Sequence, residues 1–180
     1  MQNIYITGTG FWIPEDGLTT NDEVVNSYNA FVDNFNLDNA EAISAGSLEA
    51  LSHSSSEFIE KASGIKTRYL YDKHNCLDPN RMKPKTRAEL PDNTSILAEM
   101  GIESAKKAIA NAGITVDDID GIILGTSHSA RNYPAIAIEI QEALGVDGYA
   151  YDMLVGCSST TFAISNAYSD IASGLASTIL

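Results

Sequence analysis

Residues 149–159, YAYDMLVGCSS, decide the fold class of this chain. The first seven residues of the stretch are mostly aromatic and aliphatic, as in a buried strand, and Gly156 then permits a tight turn. Residues 158–173 predict a helix that ends at Gly174. A strand followed at once by a helix is an α/β unit, and it places Cys157 at the junction.

The same alternation of strands and helices extends toward the N-terminus. Residues 119–125 (IDGIILG) predict a strand, and residues 134–144 predict a helix with Pro134 in its first turn. An earlier helix is predicted over 96–112, where apolar residues share one face. This order predicts a layered α/β fold with a mixed, mostly parallel sheet, and residues 177–180 predict the approach to a further strand.

The last predicted helix has an unusual composition. Between residues 158 and 173 it is rich in Ala and Ser and carries almost no charge apart from Asp170. A helix with small residues all round is usually buried between other elements. We therefore expect this helix to be covered by its neighbours.

The N-terminal part of the chain predicts further elements. Residues 3–9 (NIYITGT) are predicted to form a short buried strand. Thr20 and Glu23 fit a capping box, and apolar residues at helical spacing follow them. One more helix is expected at about 40–51. Residues 72–92 hold three prolines and little periodicity, which predicts a long loop or insertion.

The composition bounds the kind of protein. The 180 residues are 44% hydrophobic and 19% charged, as in a soluble globular domain. No apolar run approaches the roughly 20 residues of a membrane-spanning helix, and the first residues lack the pattern of a secretory signal. Cys76 and Cys157 cannot form a disulfide framework, so a cytoplasmic location is expected. The net charge of −13 disfavours nucleic acid and membrane surfaces as partners.

The basic residues are concentrated in one stretch. Eight of the eleven lie between Lys61 and Arg87, and only Asp72 and Asp78 oppose them. Eight positive charges less two negative ones leave +6 there, so the rest of a chain with net charge −13 carries −19. Two interpretations stay open: a solvated loop, or a docking patch for an anionic ligand or an acidic partner protein.

Cys157 is the candidate nucleophile. The amide groups at a helix start favour an anion and can stabilise an oxyanion, and Gly156 relieves the turn before them. The alternative for a lone cysteine is a small, buried, inert side chain, and the sequence leaves both interpretations open. Cys76 lies in a polar loop and is expected to be a bystander.

The other groups that acyl transfer needs are not evident. A cysteine nucleophile needs a proton acceptor, yet of His53, His74 and His128 only the last follows a predicted strand. The sequence contains no phosphate-binding loop, no dinucleotide fingerprint and no zinc spacing, so neither a metal nor a cofactor is expected. The chemistry of Cys157 is thus incompletely supplied by this chain.

Three motifs match a known family. Residues 156–159 (GCSS) after a strand, residues 133–145 (YPAIAIEIQEALG) and residues 58–68 (FIEKASGIKTR) resemble β-ketoacyl-acyl-carrier-protein synthase III, and the resemblance covers essentially the whole chain. Residues 36–56 and 82–85 (MKPK) are most similar to the β-ketodecanoyl synthase subgroup. The resemblance implies a thiolase-like fold and a condensing enzyme of fatty-acid biosynthesis. Such an enzyme joins a medium-chain acyl-CoA to malonyl-acyl-carrier-protein by decarboxylative Claisen condensation.

The resemblance also implies roles for single residues. Cys157 matches the nucleophile that takes the acyl group as a thioester, with its own amide in the oxyanion hole. Tyr133 matches a residue that shapes the partner's acyl pocket in a homodimer, and Phe58 stands where many members have a Trp that stacks on the CoA adenine. Ala62 stands where many members have an Arg that helps to hold CoA. The residues left for docking CoA or the acyl carrier protein are Lys61, Lys66, Arg68, Lys83 and Lys85.

The family has two related α/β halves, and the resemblance implies that its catalytic His and Asn lie in the second half. Residues 1–180 are therefore expected to be an N-terminal thiolase-like domain, incomplete at its C-terminal end, with insertions at about 36–56 and 72–92. Alone it is expected to be inactive in condensation. Two alternatives remain: a non-catalytic module that assembles with a synthase or carrier-protein partner, and a cysteine hydrolase, for which no suitable downstream His is present.

Overall fold

The computed structural model describes residues 3–85, 94–129 and 131–180. The chain divides into two compact units. We call Ile13–Thr86 the helical unit, and we call Met1–Trp12 together with Arg87–Leu180 the sheet unit.

The helical unit contains one short two-stranded sheet. Strand β1 (Leu18–Thr20) pairs antiparallel with β2 (Thr67–Tyr69), so that Thr19 lies opposite Arg68. The helices of this unit are α1 (Asn21–Asp38), α2 (Ala40–Ser44), α3 (Ser56–Ser63) and α4 (Lys73–Cys76).

Helix α1 begins at the predicted capping box. The Thr20 hydroxyl accepts a hydrogen bond from the Glu23 amide at 3.3 Å, and the Glu23 carboxylate accepts one from the Thr20 amide at 2.8 Å. Val25 and Val32, seven residues apart on one face, are buried. Both the helix and its cap are therefore confirmed.

Helix α2 is shorter than the helix predicted over 40–51, because side chains of α1 form hydrogen bonds with the backbone that follows α2. The Asn29 side chain exchanges hydrogen bonds with the backbone of Ser54 at 3.1 and 2.9 Å. The Asn36 side chain does the same with Leu51, at 2.9 Å for each bond. These side-chain amides satisfy backbone groups that a longer helix would otherwise pair.

The predicted loop at 72–92 contains one helical turn. Asp72 caps α4 by accepting a hydrogen bond from the Asn75 amide at 3.3 Å, and it also accepts one from the Lys85 amide at 2.8 Å. The Asn75 side-chain bond and then the Lys85 amide lower the pKa of Asp72. The chain is otherwise irregular from Leu77 to Lys85, and the last part of the predicted loop lies outside the described residues.

The sheet unit is a parallel α/β arrangement. Strands β3 (Gly121–Gly125) and β4 (Tyr149–Met153) pair in parallel, with Gly121 opposite Tyr149 and Gly125 opposite Met153. The described residues of this unit form helices α5 (Ile96–Ala112), α6 (Ile136–Leu144) and α7 (Ser159–Ser173). Ile123 donates to the Leu180 carbonyl and Leu180 donates to the Gly121 carbonyl, each at 3.0 Å. The expected approach to a further strand is thus confirmed, and its bridge between Ile179 and Gly121 is parallel.

The core of the sheet unit lies between α5, α6 and β3. Its buried members are aliphatic, namely Ala98, Ile102, Ile119, Ile122, Ile136, Ala137, Ile140 and Val146. Side chains alternate between the two faces of a strand, so Ile122 faces this core while Gly125 faces the other way, toward α7. The predicted α/β fold is confirmed, with parallel strands in the sheet unit, while the antiparallel pair β1–β2 forms a separate sheet in the helical unit.

The prediction of a strand at residues 3–9 is wrong. The segment has no ladder partner among the described residues, and Ile6 is 79% exposed. It lies against α5 instead, where the Asn111 side chain donates to the Thr9 carbonyl at 2.7 Å. A Cβ on Gly8 would lie 2.3 Å from the Ala108 carbonyl oxygen, so this approach requires glycine. A strand-like sequence becomes a strand only when a neighbouring strand pairs with its backbone.

The prediction that α7 is buried on all sides is also wrong. Only Ser159 and Ala163 of this helix are buried, while Phe162 is 50% exposed and Ile164 and Tyr168 are exposed as well. One face of α7 packs on the sheet, and within the described part of the sheet unit nothing covers the opposite face. Small residues allow a helix to be buried, but a second packing layer has to be present to bury it.

Candidate active site

Cys157 is exposed at the junction between β4 and α7. It lies in a single 3₁₀ turn, Gly156–Ser158, that leads directly into the helix. Gly156 has a φ of +58°, a left-handed conformation that glycine adopts without strain. The structure therefore presents the thiol at a helix start, as the sequence predicts, and it does not support the alternative of a buried cysteine.

The hydroxyl of Ser159 organises the turn that carries Cys157. Ser159 is 2% exposed, and its Oγ accepts a hydrogen bond from the Val155 amide at 2.8 Å. The same oxygen lies 2.8 Å from the Gly156 carbonyl and 2.9 Å from the Thr126 carbonyl, to which it can donate. The ends of β3 and β4 thus meet at one buried side chain.

The end of β3 also packs closely on the first turn of α7. A Cβ on Gly125 would lie 2.9 Å from the Thr160 nitrogen and 3.0 Å from the Ser159 carbonyl carbon. Neither backbone atom can move aside as a flexible side chain could. Glycine at this position lets the helix start sit directly on the strand end.

Tyrosine side chains hold α7 on β4. The Tyr149 hydroxyl donates to Asp170 at 2.7 Å, and the Asn166 side chain donates to the Tyr151 hydroxyl at 3.1 Å. Burial and then the Asp170 carboxylate raise the pKa of Tyr149, so this phenol stays protonated and can donate. The helix behind Cys157 is therefore fixed at both its middle and its far end.

His128 lies at the same edge of the sheet as the cysteine turn. It is exposed, in a loop where Thr126 Oγ1 accepts from the His128 amide at 3.3 Å. Of the other histidines, His53 pairs with Asp33 at 2.8 Å and His74 is exposed in α4. Among the described residues, no His, Cys, Asp and Glu side chains cluster in a way that could hold a metal ion.

Tyr133 precedes α6 and is 87% exposed. The peptide bond to Pro134 is cis. Nearby, Glu139 of α6 pairs with Arg131 and accepts a hydrogen bond from the Ser95 amide at 2.6 Å. These contacts join the loop that carries Tyr133 to the starts of α5 and α6.

Phe58 lies on a cavity of the helical unit. The cavity has a volume of about 620 Å³, and Phe58 is 64% exposed beside it. Its apolar walls come from α1, α3 and the loop after α4, through Val24, Val25, Tyr28, Ile59 and Met82. Lys61 is exposed one turn further along α3.

The other predicted docking residues differ in their surroundings. Lys66 forms an exposed ion pair with Glu60 at 3.1 Å. Arg68 donates to the Thr20 carbonyl at 3.3 Å and bonds the Asn21 side chain, so it joins the two strands. Lys83 and Lys85 are exposed on a loop that Arg81 braces through the Lys83 carbonyl at 3.0 Å.

The predicted site residues thus belong to different units. The sheet unit contains Cys157 and Tyr133, and the helical unit contains Phe58 and all five basic residues. The sequence did not single out Ser159, although a second serine after the cysteine was visible. Its partner Thr126 is 33 positions away, and no local pattern indicates such a contact.

Comparisons with known proteins show what the chain is similar to. The chain is 51% identical to beta-ketodecanoyl-[acyl-carrier-protein] synthase of Pseudomonas aeruginosa, over 86% of the chain and 44% of that protein. It is 45% identical to beta-ketoacyl-[acyl-carrier-protein] synthase III of Bartonella tribocorum, over 45% of the chain and 25% of that protein. No family model matches the chain.

Solved structures share the fold. The 3-oxoacyl-[acyl-carrier-protein] synthase III of Aquifex aeolicus superposes with a TM-score of 0.63 at 25% identity, covering 94% of this chain and 40% of that one. No helix among the described residues combines the length and the apolar character that crossing a membrane requires. The chain spans less than half the length of the relatives it matches. Over that span the chain is similar to the β-ketoacyl-acyl-carrier-protein synthase III family, and its fold is thiolase-like.

Proposed function

We propose that this chain supplies the acyl-accepting cysteine of a condensing enzyme in fatty-acid synthesis. In the proposed step the Cys157 sulfur attacks the carbonyl of an acyl thioester. A new sulfur–acyl bond forms, the bond to the CoA sulfur breaks, and CoA leaves as its thiol. The acyl group then remains bound to Cys157 as a thioester until the second substrate binds.

The exposed position of Cys157 carries this proposal. The thiol lies at the start of α7, in a turn where Gly156 and Ser159 fix the backbone. The amide groups of a helix start are suited to stabilise the negative charge that develops on the carbonyl oxygen. A structural cysteine would gain nothing from such exposure, which argues against a purely non-catalytic module.

The substrates follow from the resemblance and from the names of the relatives. We infer a medium-chain acyl-CoA as the acyl donor and malonyl-acyl-carrier-protein as the second substrate, with no metal or cofactor. Phe58 would contact CoA and Tyr133 would shape an acyl pocket in a homodimer. The His and Asn of the condensation step would come from outside these 180 residues, and the protein would work in the cytoplasm.

A labelling experiment tests the nucleophile. The protein is incubated with a medium-chain acyl-CoA, and intact mass spectrometry measures the added acyl group. Cys157→Ala should abolish the adduct, because alanine has no nucleophile. The matched control is Cys76→Ala, which removes the other thiol and should leave labelling unchanged.

Persistent labelling in Cys157→Ala would remove Cys157 from the proposed role. Peptide mapping of the adduct then shows which residue carries the acyl group instead. Cys76 is the natural comparison, because burial followed by the Asp72 carboxylate raises the pKa of its thiol and makes it a poorer nucleophile.

A further inference from the structure

Ser159 is the one residue of the cysteine turn whose side chain is fully enclosed. It is the first residue of α7, and its hydroxyl oxygen points back out of the helix. Ser158, the residue before it, makes no capping hydrogen bond with its side chain. The Ser159 hydroxyl accepts from the Val155 amide, which precedes the helix, so it does something other than cap the helix.

The hydrogen bonds of Ser159 connect residues that lie on both sides of Cys157 in the sequence. Val155 and Gly156 precede the cysteine, and each has a backbone group within 2.8 Å of Ser159 Oγ. Because Ser159 itself follows the cysteine, these bonds close a loop of five residues with Cys157 at its tip. The conformation of that loop decides where the sulfur lies.

The third contact of Ser159 ties the loop to the sheet. The carbonyl of Thr126, one residue after β3, lies 2.9 Å from Ser159 Oγ. A hydroxyl has one hydrogen, so it donates to the Gly156 or the Thr126 carbonyl at a given moment and accepts from Val155 throughout. A partner 33 positions away cannot be part of ordinary helix-start geometry.

We propose that Ser159 is the positioning residue for Cys157: its buried hydroxyl locks the turn that presents the thiol and anchors that turn to the end of β3. The inference rests on the proposed role of Cys157 for its catalytic meaning. Without the hydroxyl, the Val155 amide loses an acceptor and the Thr126 carbonyl loses a donor, while the Gly156 carbonyl keeps its bond from the Ser159 amide. The turn then samples other conformations, and the sulfur is no longer held for attack.

The test compares Ser159→Ala with Ser159→Thr, which keeps the hydroxyl, and with Ser158→Ala as the matched neighbour. Amide hydrogen exchange of the peptide that contains residues 155–159 reports on the turn without any activity. Two reaction rates at Cys157 are then measured by peptide mass spectrometry. One is acylation by a medium-chain acyl-CoA, which requires an accurately placed sulfur. The other is alkylation by iodoacetamide, which depends little on where the sulfur lies.

Ser159→Ala should accelerate exchange in the turn about tenfold or more and leave the α5 peptides unchanged. Acylation should fall by about tenfold to a hundredfold, as expected when a reacting group is misplaced by about an ångström. Alkylation should stay within about threefold of the wild-type rate, since a small reagent reaches a displaced thiol almost equally well. Ser158→Ala should behave like the wild type, and Ser159→Thr should recover most of the acylation rate.

Unchanged exchange in the Ser159→Ala turn overturns the positioning role, whatever the acylation rates are. An equal loss of acylation and alkylation also overturns it, because that pattern means general disruption of the helix start. Faster exchange in a protein whose wild type takes no acyl group supports the positioning role and contradicts the proposed function instead. If Ser159→Ala does not fold, Ser159→Thr and Ser159→Cys give the same comparison with a polar atom retained.

Discussion

At the scale of single residues, Glu23 shows how several partners fix one charge. Its carboxylate accepts the Thr20 amide at 2.8 Å and forms an ion pair with Lys73 at 2.5 Å. Lys73 also donates to the Leu18 carbonyl at 2.7 Å. The bond to Lys73 and then the bond to Thr20 lower the pKa of Glu23 from 4.5 to about 2.

Glu23→Gln should lower the melting temperature at neutral pH by about 2–5 °C. A lowered pKa stabilises the folded state fully above the unfolded value of 4.5, and this contribution disappears as the pH falls toward 2. The difference in melting temperature between wild type and Glu23→Gln should therefore be constant above pH 4.5 and shrink below it. Circular dichroism melts across this range measure it.

The control for this prediction is Glu60→Gln, which removes the same charge from the exposed pair with Lys66 in the same unit. We expect its melting temperature to change by about 1 °C or less, since exposed pairs contribute little. A Glu23→Gln difference that stays the same down to pH 2 would show that the ionised carboxylate is not what stabilises this helix start.

At the scale of secondary-structure elements, α6 depends on a residue from another element. Ala135, which precedes the helix, has no side chain that could cap it. Asp152 of β4 takes this role, with one carboxylate oxygen accepting the Ile136 amide and the other the Ala137 amide, each at 2.8 Å. A negative charge at a helix start is favourable, because the amide groups there carry partial positive charge.

Asp152→Ala should lower the free energy of unfolding by about 1–2 kcal/mol, the usual effect of losing a helix cap. Asp152→Asn should cost less, because its amide keeps one acceptor oxygen. Urea unfolding followed by circular dichroism measures both variants. Asp147→Ala is the control, since it removes an exposed carboxylate just beyond the same helix. If Asp152→Ala matches that control, the two hydrogen bonds do not stabilise the helix.

At the scale of the whole molecule, the charge distribution along the chain is uneven. The chain carries −13 overall, yet eight of its eleven basic residues lie between Lys61 and Arg87. The structure engages Lys66, Arg68 and Lys73 in bonds within the helical unit and leaves the Lys83 and Lys85 side chains exposed. We propose that Lys83 and Lys85 meet the acidic carrier protein, while Arg68 and Lys73 support the fold.

Reversing both charges, Lys83→Glu with Lys85→Glu, should weaken binding of an acyl carrier protein about threefold to tenfold at low salt. The effect should fade as salt is added, because salt screens exposed charges. Titration calorimetry at two ionic strengths measures Kd. The control is Lys106→Glu with Lys107→Glu, which makes the same change of charge on α5. Equal affinities of the two double variants at low salt would refute the docking surface.

The sequence by itself determined the features that depend on neighbours a few positions apart. The Thr20–Glu23 capping box starts α1 as predicted. Helices α5, α6 and α7 end at the predicted residues, and a glycine in left-handed conformation follows each of them. The position of Cys157 between strand and helix was predictable for the same reason. The resemblance to the family was also visible in short sequence motifs, and 51% identity to a relative confirms that resemblance.

The tertiary structure alone decided what depends on distant partners. Residues 3–9 have a strand-like sequence but lie on α5, with no ladder partner in the part of the chain that the structure describes. Helix α7 has a sequence suited to burial but is covered on one face. The partners of Ser159 and Asp152 lie 33 and 16 positions away. Composition and spacing cannot encode such contacts, because a hydroxyl or a carboxylate finds a remote backbone group only after strands and helices have packed.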